Sequence, residues 1–143
     1  MSEQNMNIEL KQVNGITFAA KGDSNHWVIM DGPETFNGSS AGSRPMELIL
    51  MGLGGCTGMD VVSILQKKKV KLDDYKMKIS AERAEKHPKV YTKIKIEFIF
   101  IGRDIKEKDV ERAISLSENT YCSASAMLKK TAEIETSYKI INS

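Results

Sequence analysis

One apolar stretch, from Pro45 to about Lys68, constrains the fold of this chain more than any other part of its sequence. Proline is favoured in the first turn of a helix, where its missing N–H has no helical partner to lose. The apolar residues that follow occupy positions on nearly every face of a helix: Met46, Leu48, Ile49, Leu50, Met51, Leu53, Met59, Val61, Val62, Ile64 and Leu65. A helix that is apolar all round is a buried helix, so we expect a long central helix.

Four glycines, at positions 52, 54, 55 and 58, surround Cys56 within this stretch. Each glycine in a helix interior costs about 1 kcal/mol relative to alanine, so the cluster indicates that another group approaches this backbone closely. The alternative is a break in the helix, with Thr57 as the cap of a second helix. The glycines and Asp60 also interrupt the apolar run too often for a membrane-spanning helix.

Strands are predicted on both sides of the central helix in the chain. Polar and apolar residues alternate over 75–82 and over 93–100, which predicts an antiparallel pair with one buried face. The dipeptides Asn-Gly at 14–15 and Asp-Gly at 31–32 favour hairpin turns, of type I′ in the first case. The first third of the chain is therefore expected to be β-structure.

The last third of the chain predicts two short helices and a strand. Residues 107–117 have apolar positions at helical spacing, and Thr120 can cap a further helix that runs to Lys130. Alternation over 134–140 predicts a final strand. The sum is an α+β fold in which an antiparallel sheet wraps around the central helix.

Chain length and charge limit the classes of function. With 143 residues, we expect one domain over residues 1–143. A domain of this size has difficulty covering an apolar helix on all sides, which favours a homodimer. A net charge of +2 gives no indication of nucleic-acid or membrane binding. Residues 1–7 are polar and lack the apolar stretch of a signal peptide, so we expect a cytoplasmic protein.

The two cysteines, Cys56 and Cys122, are the candidate reactive groups. No Cys-x-x-Cys pair is present and the two histidines, His26 and His87, lie in separate loops, so we expect no metal site. In a reducing compartment the cysteines are not expected to form a permanent disulfide. Cys122 would lie in the first turn of the helix capped by Thr120, where the dipole lowers a thiol pKa. Since free cysteine also behaves as a small buried hydrophobe, the residues alone leave an inert pair and a reactive pair both open.

The run from Arg44 to Thr57, RPMELILMGLGGCT, resembles the central-helix signature of the OsmC/Ohr family. In that signature a Pro-acid-acid-Leu start leads, over a stretch of small residues, to the reactive cysteine. The second cysteine of the family falls in a later helix, where this chain has Tyr121-Cys122-Ser123. The stretch 81–94, AERAEKHPKVYTKI, is similar to a less-studied branch of the family, and the resemblance covers nearly the whole chain.

This resemblance implies an OsmC-like intertwined homodimer with two active sites at the subunit interface. It also implies reduction of hydroperoxides, especially organic ones, in defence against oxidative stress. Cys56 would attack the peroxide as a thiolate and Cys122 would resolve the resulting sulfenic acid as a disulfide. No metal, haem or flavin is implied, and an external thiol, such as a dihydrolipoyl group, would return the reducing equivalents.

The chain departs from the family pattern in two places. Better-studied members have an arginine in the N-terminal strands that steadies the thiolate, and a glutamate directly after the helix-opening proline that holds this arginine. Here no arginine precedes Arg44, and Met46 follows Pro45. Glu47 comes one position later, about 100° around a helix. Arg44 and Arg83 are the candidates to replace the missing cation.

Four methionines lie close in sequence to the two cysteines: Met46, Met51, Met59 and Met127. They suit an adaptable apolar pocket for an alkyl peroxide or a lipid-like ligand, and they suit plain core packing equally well. Three functions therefore remain: a thiol peroxidase, a redox-sensing or apolar-ligand-binding dimer with little turnover, and a structural dimer with buried, inert cysteines.

Overall fold

The computed structural model describes residues 5–143, so the first four residues of the polar N-terminal stretch lie outside the described part of the chain. Two compact units divide the chain, residues 1–49 and residues 50–143, and each is described by itself. Whether they act as the one domain expected from chain length stays a prediction. The elements together form a mixed α+β fold with two sheets and a long central helix, which confirms the predicted fold class.

The first unit contains a three-stranded antiparallel sheet, formed in chain order by β1 (Glu9–Asn14), β2 (Thr17–Lys21) and β3 (Trp27–Met30). The predicted hairpin between β1 and β2 is confirmed. Its turn differs from the expected type I′, because Gly15 has a φ of +55° while Ile16 has no positive φ. A positive φ at the first central position alone is the pattern of a type II′ turn.

The second predicted hairpin, at Asp31-Gly32, is wrong. Residues Glu34–Phe36 form a single 3-10 turn instead of a strand. Asp31 is buried, and its carboxylate accepts hydrogen bonds from the hydroxyl of Thr17 and from backbone N–H groups of the loop that follows it. A buried carboxylate requires such donors, and the loop folds around Asp31 to supply them.

Helix α1 (Pro45–Lys67) is continuous, which excludes the alternative of a break at Thr57. Four of its five buried residues recur every four positions, at Leu53, Thr57, Val61 and Leu65, and so form one face. The expectation of a helix buried all round is wrong for the single chain, because Met51 and Met59 on the other positions are 54% and 75% exposed.

The length of α1 also bears on the membrane question. By length and composition alone, α1 is long and apolar enough to cross a membrane. The expectation that the glycines and Asp60 interrupt the apolar run too often for such a helix is therefore wrong. Core helices of soluble proteins meet the same criterion, so it does not by itself indicate a membrane span.

Two of the four glycines of α1 allow the close approach that their cluster predicts. A Cβ on Gly54 would lie 2.7 Å from Cδ1 of Ile79, and one on Gly58 would lie 2.8 Å from Sδ of Met77. Both partners belong to the strand that follows α1. Gly52 and Gly55 face open space in this chain, so packing within the chain does not require them.

The second unit contains a mixed three-stranded sheet with the long strand in the middle. Strand β4 (Asp74–Arg83) pairs antiparallel with β5 (Tyr91–Gly102), as predicted, whereas β6 (Glu133–Asn142) pairs with β5 in parallel. The expectation of a purely antiparallel sheet is therefore wrong for its last strand. Helices α2 (Glu107–Leu116) and α3 (Ser123–Leu128) form the crossover between β5 and β6, and such a crossover brings a strand back in parallel.

The core of the second unit lies on β5 and on the faces of the helices. Phe98 and Phe100 are fully buried with stacked rings 6.2 Å apart. Val110 and Ala113 of α2 are also fully buried. Helix α2 leads directly into the segment before α3, where the second cysteine lies.

Candidate active site

The structure brings the two cysteines together. The Sγ atoms of Cys56 and Cys122 and a carboxylate oxygen of Asp60 all lie within 4.8 Å of one another. Both thiols are free. A disulfide needs a sulfur–sulfur bond of about 2.05 Å. A short movement of the two side chains would bring the two sulfurs to this distance.

Helix α1 contributes one side of this cluster within little more than one turn. Cys56 and Asp60 are four residues apart and therefore lie on the same face of the helix. Thr57 lies beside Cys56 on the buried face and its hydroxyl is 3.1 Å from Sγ of Cys122. Helix α1 thus contains Cys56 and, through Thr57, also contacts Cys122.

The crossover contributes the other side of the cluster. After α2, residues Ser117–Tyr121 form a π-helical turn, and α3 begins only at Ser123. Cys122 is itself the N-cap of α3: its sulfur accepts the backbone N–H of Ser125 at 3.3 Å. The prediction that Thr120 caps this helix is wrong, because the wider turn includes Thr120 and shifts the helix start along the chain.

Cys122 has a buried sulfur with a raised pKa. The side chain is only 3% exposed, and this desolvation raises the thiol pKa. The contacts with Thr57 and Ser125 act in the opposite direction, and the neighbouring Cys56 adds to the rise. The expected lowering by a helix dipole is wrong, since burial outweighs the hydrogen bond at the start of a helix of only six residues.

Sequence reasoning missed three members of the cluster, Thr57, Asp60 and Ser117. The hydroxyl of the fully buried Ser117 donates to Oδ2 of Asp60 at 2.9 Å, which links the end of α2 to α1. The four-residue spacing from Cys56 is a signal that could have found Asp60. No local pattern could have found Ser117, because its partner is 57 residues away in the chain.

The two arginines proposed as thiolate partners have other contacts. In the first unit, Glu47 accepts the backbone N–H of Arg44 at 2.8 Å, which is half of a capping box, and the Arg44 guanidinium donates to the carbonyl of Gly42. Arg83 donates to the carbonyl of Lys89 at 2.8 Å and is exposed.

Arg83 also lies away from the part of β4 that contacts the cysteine region of α1. Gly54 and Gly58, which flank Cys56, lie against Ile79 and Met77 respectively. Arg83 is four residues beyond Ile79, about 13 Å along a strand. Its contact with the β4–β5 turn therefore favours a structural role.

The four methionines do not enclose a pocket in the single chain. Met51, Met59 and Met127 each expose more than half of their surface. Met59 lines an open groove of about 370 Å³ beside Gly55, Gly58 and Tyr75, all in the second unit. Met46 belongs to the first unit and is half-buried.

Asp60 of the cluster also lines a separate, open cavity. It has a volume of about 330 Å³, and its wall is formed by α1 together with Leu116 and Tyr121 of the crossover. Lys67 and Lys68 also line this cavity, and Lys68 pairs with Asp109 at 3.7 Å. A small solute can therefore reach the Asp60 side of the cluster.

Comparison with known proteins shows one family. The family model described as OsmC-like protein matches residues 37–137. Protein YhfA of Escherichia coli strain K12 is 41% identical over 136 residues, which cover 95% of this chain and 98% of the relative. Among solved structures, a hypothetical protein from Aquifex aeolicus VF5 is 33% identical with a TM-score of 0.87, covering 98% of both chains.

A more distant structure shares the fold. The organic hydroperoxide resistance protein OsmC from Legionella pneumophila has a TM-score of 0.72 at 11% identity and covers 97% of this chain and 99% of its own.

Proposed function

The chain belongs to the OsmC-like protein family, and from this premise we propose that it is a thiol-dependent peroxidase that reduces organic hydroperoxides. The OsmC/Ohr family includes peroxidase-like enzymes, and membership suggests a role in oxidative stress and hydroperoxide resistance. The observation that carries the proposal is the approach of the two sulfurs, Cys56 and Cys122, to within 4.8 Å across two separate segments.

The proposed reaction has two steps on this chain. The Cys56 thiolate attacks the terminal oxygen of the hydroperoxide, the O–O bond breaks, and the alkoxide leaves and takes up a proton as the alcohol. The Cys56 sulfenic acid then reacts with the Cys122 thiol to form the disulfide and water. An external dithiol, such as a dihydrolipoyl group, reduces the disulfide and becomes oxidised in turn.

Exposure supports this division of roles between the cysteines. Cys56 is half-buried next to exposed glycine, so a small oxidant can approach its sulfur, whereas Cys122 is 3% exposed. The raised pKa of Cys122 keeps it a thiol near neutral pH, which suits the resolving partner better than the attacking thiolate.

A homodimer in a reducing cytoplasm completes the proposal. The apolar positions of α1 that this chain leaves exposed, including Met51 and Met59, would be covered by a second copy. A reducing compartment would return the cysteine pair to its thiol form between turnovers. The second copy is also the proposed source of any cation beside the Cys56 thiolate.

The peroxidase assay tests the proposal directly. With excess dithiol, the wild type is expected to consume cumene hydroperoxide and Cys56→Ser is expected to lose at least about 100-fold in rate, because the attacking atom is gone. Cys122→Ser should still be oxidised once and should accumulate a sulfenic acid that dimedone traps. Equal rates for the wild type and Cys56→Ser would exclude the peroxidase.

One observation favours a second candidate, a redox sensor with little turnover. A charged group that lies within 4.8 Å of the two sulfurs is the carboxylate of Asp60. A carboxylate does not stabilise a thiolate as a cation does. A sensor would form the Cys56–Cys122 disulfide with one equivalent of peroxide but would not sustain steady-state turnover with dithiol.

A further inference from the structure

Three side chains that can each supply one metal ligand meet at the cysteine pair. Sγ of Cys56, Sγ of Cys122 and a carboxylate oxygen of Asp60 lie within 4.8 Å of one another. Tetrahedral zinc, with Zn–S of about 2.3 Å and Zn–O of about 2.1 Å, would hold such atoms about 3.5–3.8 Å apart. Each ligand atom therefore needs to move by about 1 Å or less.

Hydrogen bonds already orient two of these three ligands. Ser117 donates its hydroxyl to the Asp60 carboxylate at 2.9 Å. Ser125 donates its backbone N–H to Sγ of Cys122 at 3.3 Å, and the hydroxyl of Thr57 lies 3.1 Å from the same sulfur. All three supporting residues are buried. Outer hydrogen bonds of this kind fix metal ligands before the ion arrives.

The charges of the cluster also favour a cation. Two thiolates and a carboxylate would carry three negative charges, and within residues 5–143 no ion pair involves the Asp60 carboxylate. Lys67 and Lys68 lie on the wall of the adjacent cavity, where Lys68 pairs with Asp109. Two sulfur ligands select zinc over the oxygen-preferring magnesium and calcium ions.

We propose that Cys56, Cys122 and Asp60 form a zinc site that exists only while the two cysteines are reduced. Zinc would replace the two thiol protons, so that one ion binds and two protons leave. A water molecule from the cavity beside Asp60 would fill the fourth position, as at other sites with three protein ligands. The disulfide has no thiolate to offer, so oxidation would release the ion, and zinc would compete with peroxide for the same sulfurs.

Cobalt substitution tests the site without any measurement of peroxidase activity. The reduced protein, held in a phosphine reductant, is titrated with Co²⁺ and followed by the near-ultraviolet absorption of thiolate–cobalt bonds. We expect one ion per chain and displacement of cobalt by Zn²⁺. Cys56→Ser and Cys122→Ser should each lose most of this absorption, and protein oxidised to the disulfide should show none.

Asp60 provides the most specific variant. Asp60→Asn should weaken cobalt binding about tenfold or more, because it removes the carboxylate ligand. Asp60→Glu keeps a carboxylate at this position and should retain part of the affinity for cobalt. Asp104→Asn, in an exposed turn, removes the same charge elsewhere and should change nothing. Circular dichroism verifies that each variant is folded.

Three results would overturn the zinc site: no thiolate–cobalt absorption in the reduced wild type, unchanged affinity in Asp60→Asn, or undiminished binding after oxidation. The outcome is independent of the peroxidase proposal. A protein that turns over peroxide but binds no cobalt would leave that proposal standing, and the converse result would support the metal site alone.

Discussion

At the scale of single residues, the two cysteines have the same side chain and opposite surroundings. Cys56 lies on a helix among small neighbours and is half-buried, while Cys122 is enclosed and accepts a backbone N–H through its sulfur. The sulfur of Cys56 is therefore the more accessible one, and burial protects the sulfur of Cys122. Hydrogen bonds from the chain hold the protected sulfur in position beside Thr57.

Alkylation of the native, reduced protein should reveal this difference. We expect iodoacetamide to modify Cys56 several-fold faster than Cys122 at pH 8, because Cys122 is shielded and its raised pKa keeps it protonated. The rate at Cys122 should increase only as the pH rises above the ordinary thiol range. Peptide mass spectrometry over time measures both rates, and unfolded protein is the control in which the two should converge. Faster modification of Cys122 in the native state would contradict the assignment.

At the scale of elements, hydrogen bonds to polar side chains organise two short segments, the turn after α2 and the loop after β3. The π-helical turn Ser117–Tyr121 widens the end of α2 and so aligns Ser117 with Asp60 and Cys122 with Thr57. In the first unit, the loop after β3 is organised in the same way by the buried carboxylate of Asp31. Local sequence patterns describe neither arrangement, because the partners come from distant residues.

The loop after β3 predicts a stability effect that depends on pH. Desolvation raises the pKa of Asp31, but hydrogen bonds from Ala41, Thr17, Gly32 and Ser39 together lower it below its ordinary 3.8. The ionised group therefore stabilises the folded state above that value, and this stabilisation disappears as the pH falls through the lower, folded-state pKa.

Asp31→Asn tests this effect by urea unfolding. The variant should be less stable than the wild type at pH 7, and the difference should shrink at pH values below about 4, where the wild-type carboxylate becomes protonated. Asp23→Asn is the matched control in the same unit, since its carboxylate accepts one hydrogen bond at the surface. A difference that stays constant from pH 7 to pH 3 would refute the role of the ionised group.

At the scale of the whole molecule, α1 exposes apolar side chains that the single chain does not cover. Met59 is 75% exposed and Met51 is 54% exposed on a helix that is otherwise suited to a core. Exposed apolar surface of this kind marks an interaction site, and the proposed homodimer would cover it with a second copy of the chain.

Met59→Lys tests the proposed dimer. A lysine here should leave the fold of one chain intact, because the side chain is exposed, but it should separate the subunits and weaken association at least about tenfold. Light scattering after size-exclusion chromatography measures the mass, and circular dichroism measures the fold. Val90→Lys, at an exposed position between β4 and β5, is the control. A wild-type monomer, or a variant with unchanged dimer mass, would rule out this interface.

The sequence by itself determined most of the elements, because periodicity and turn residues act locally. The long helix, the β4–β5 pair and the first hairpin follow from such patterns, and the resemblance of the Cys56 segment predicts the family. Tertiary structure alone decided which groups surround the sulfurs. Ser117 meets Asp60, Thr57 meets Cys122, and Arg83 binds a turn, since each contact joins residues whose approach depends on the crossover and the packing of separate segments.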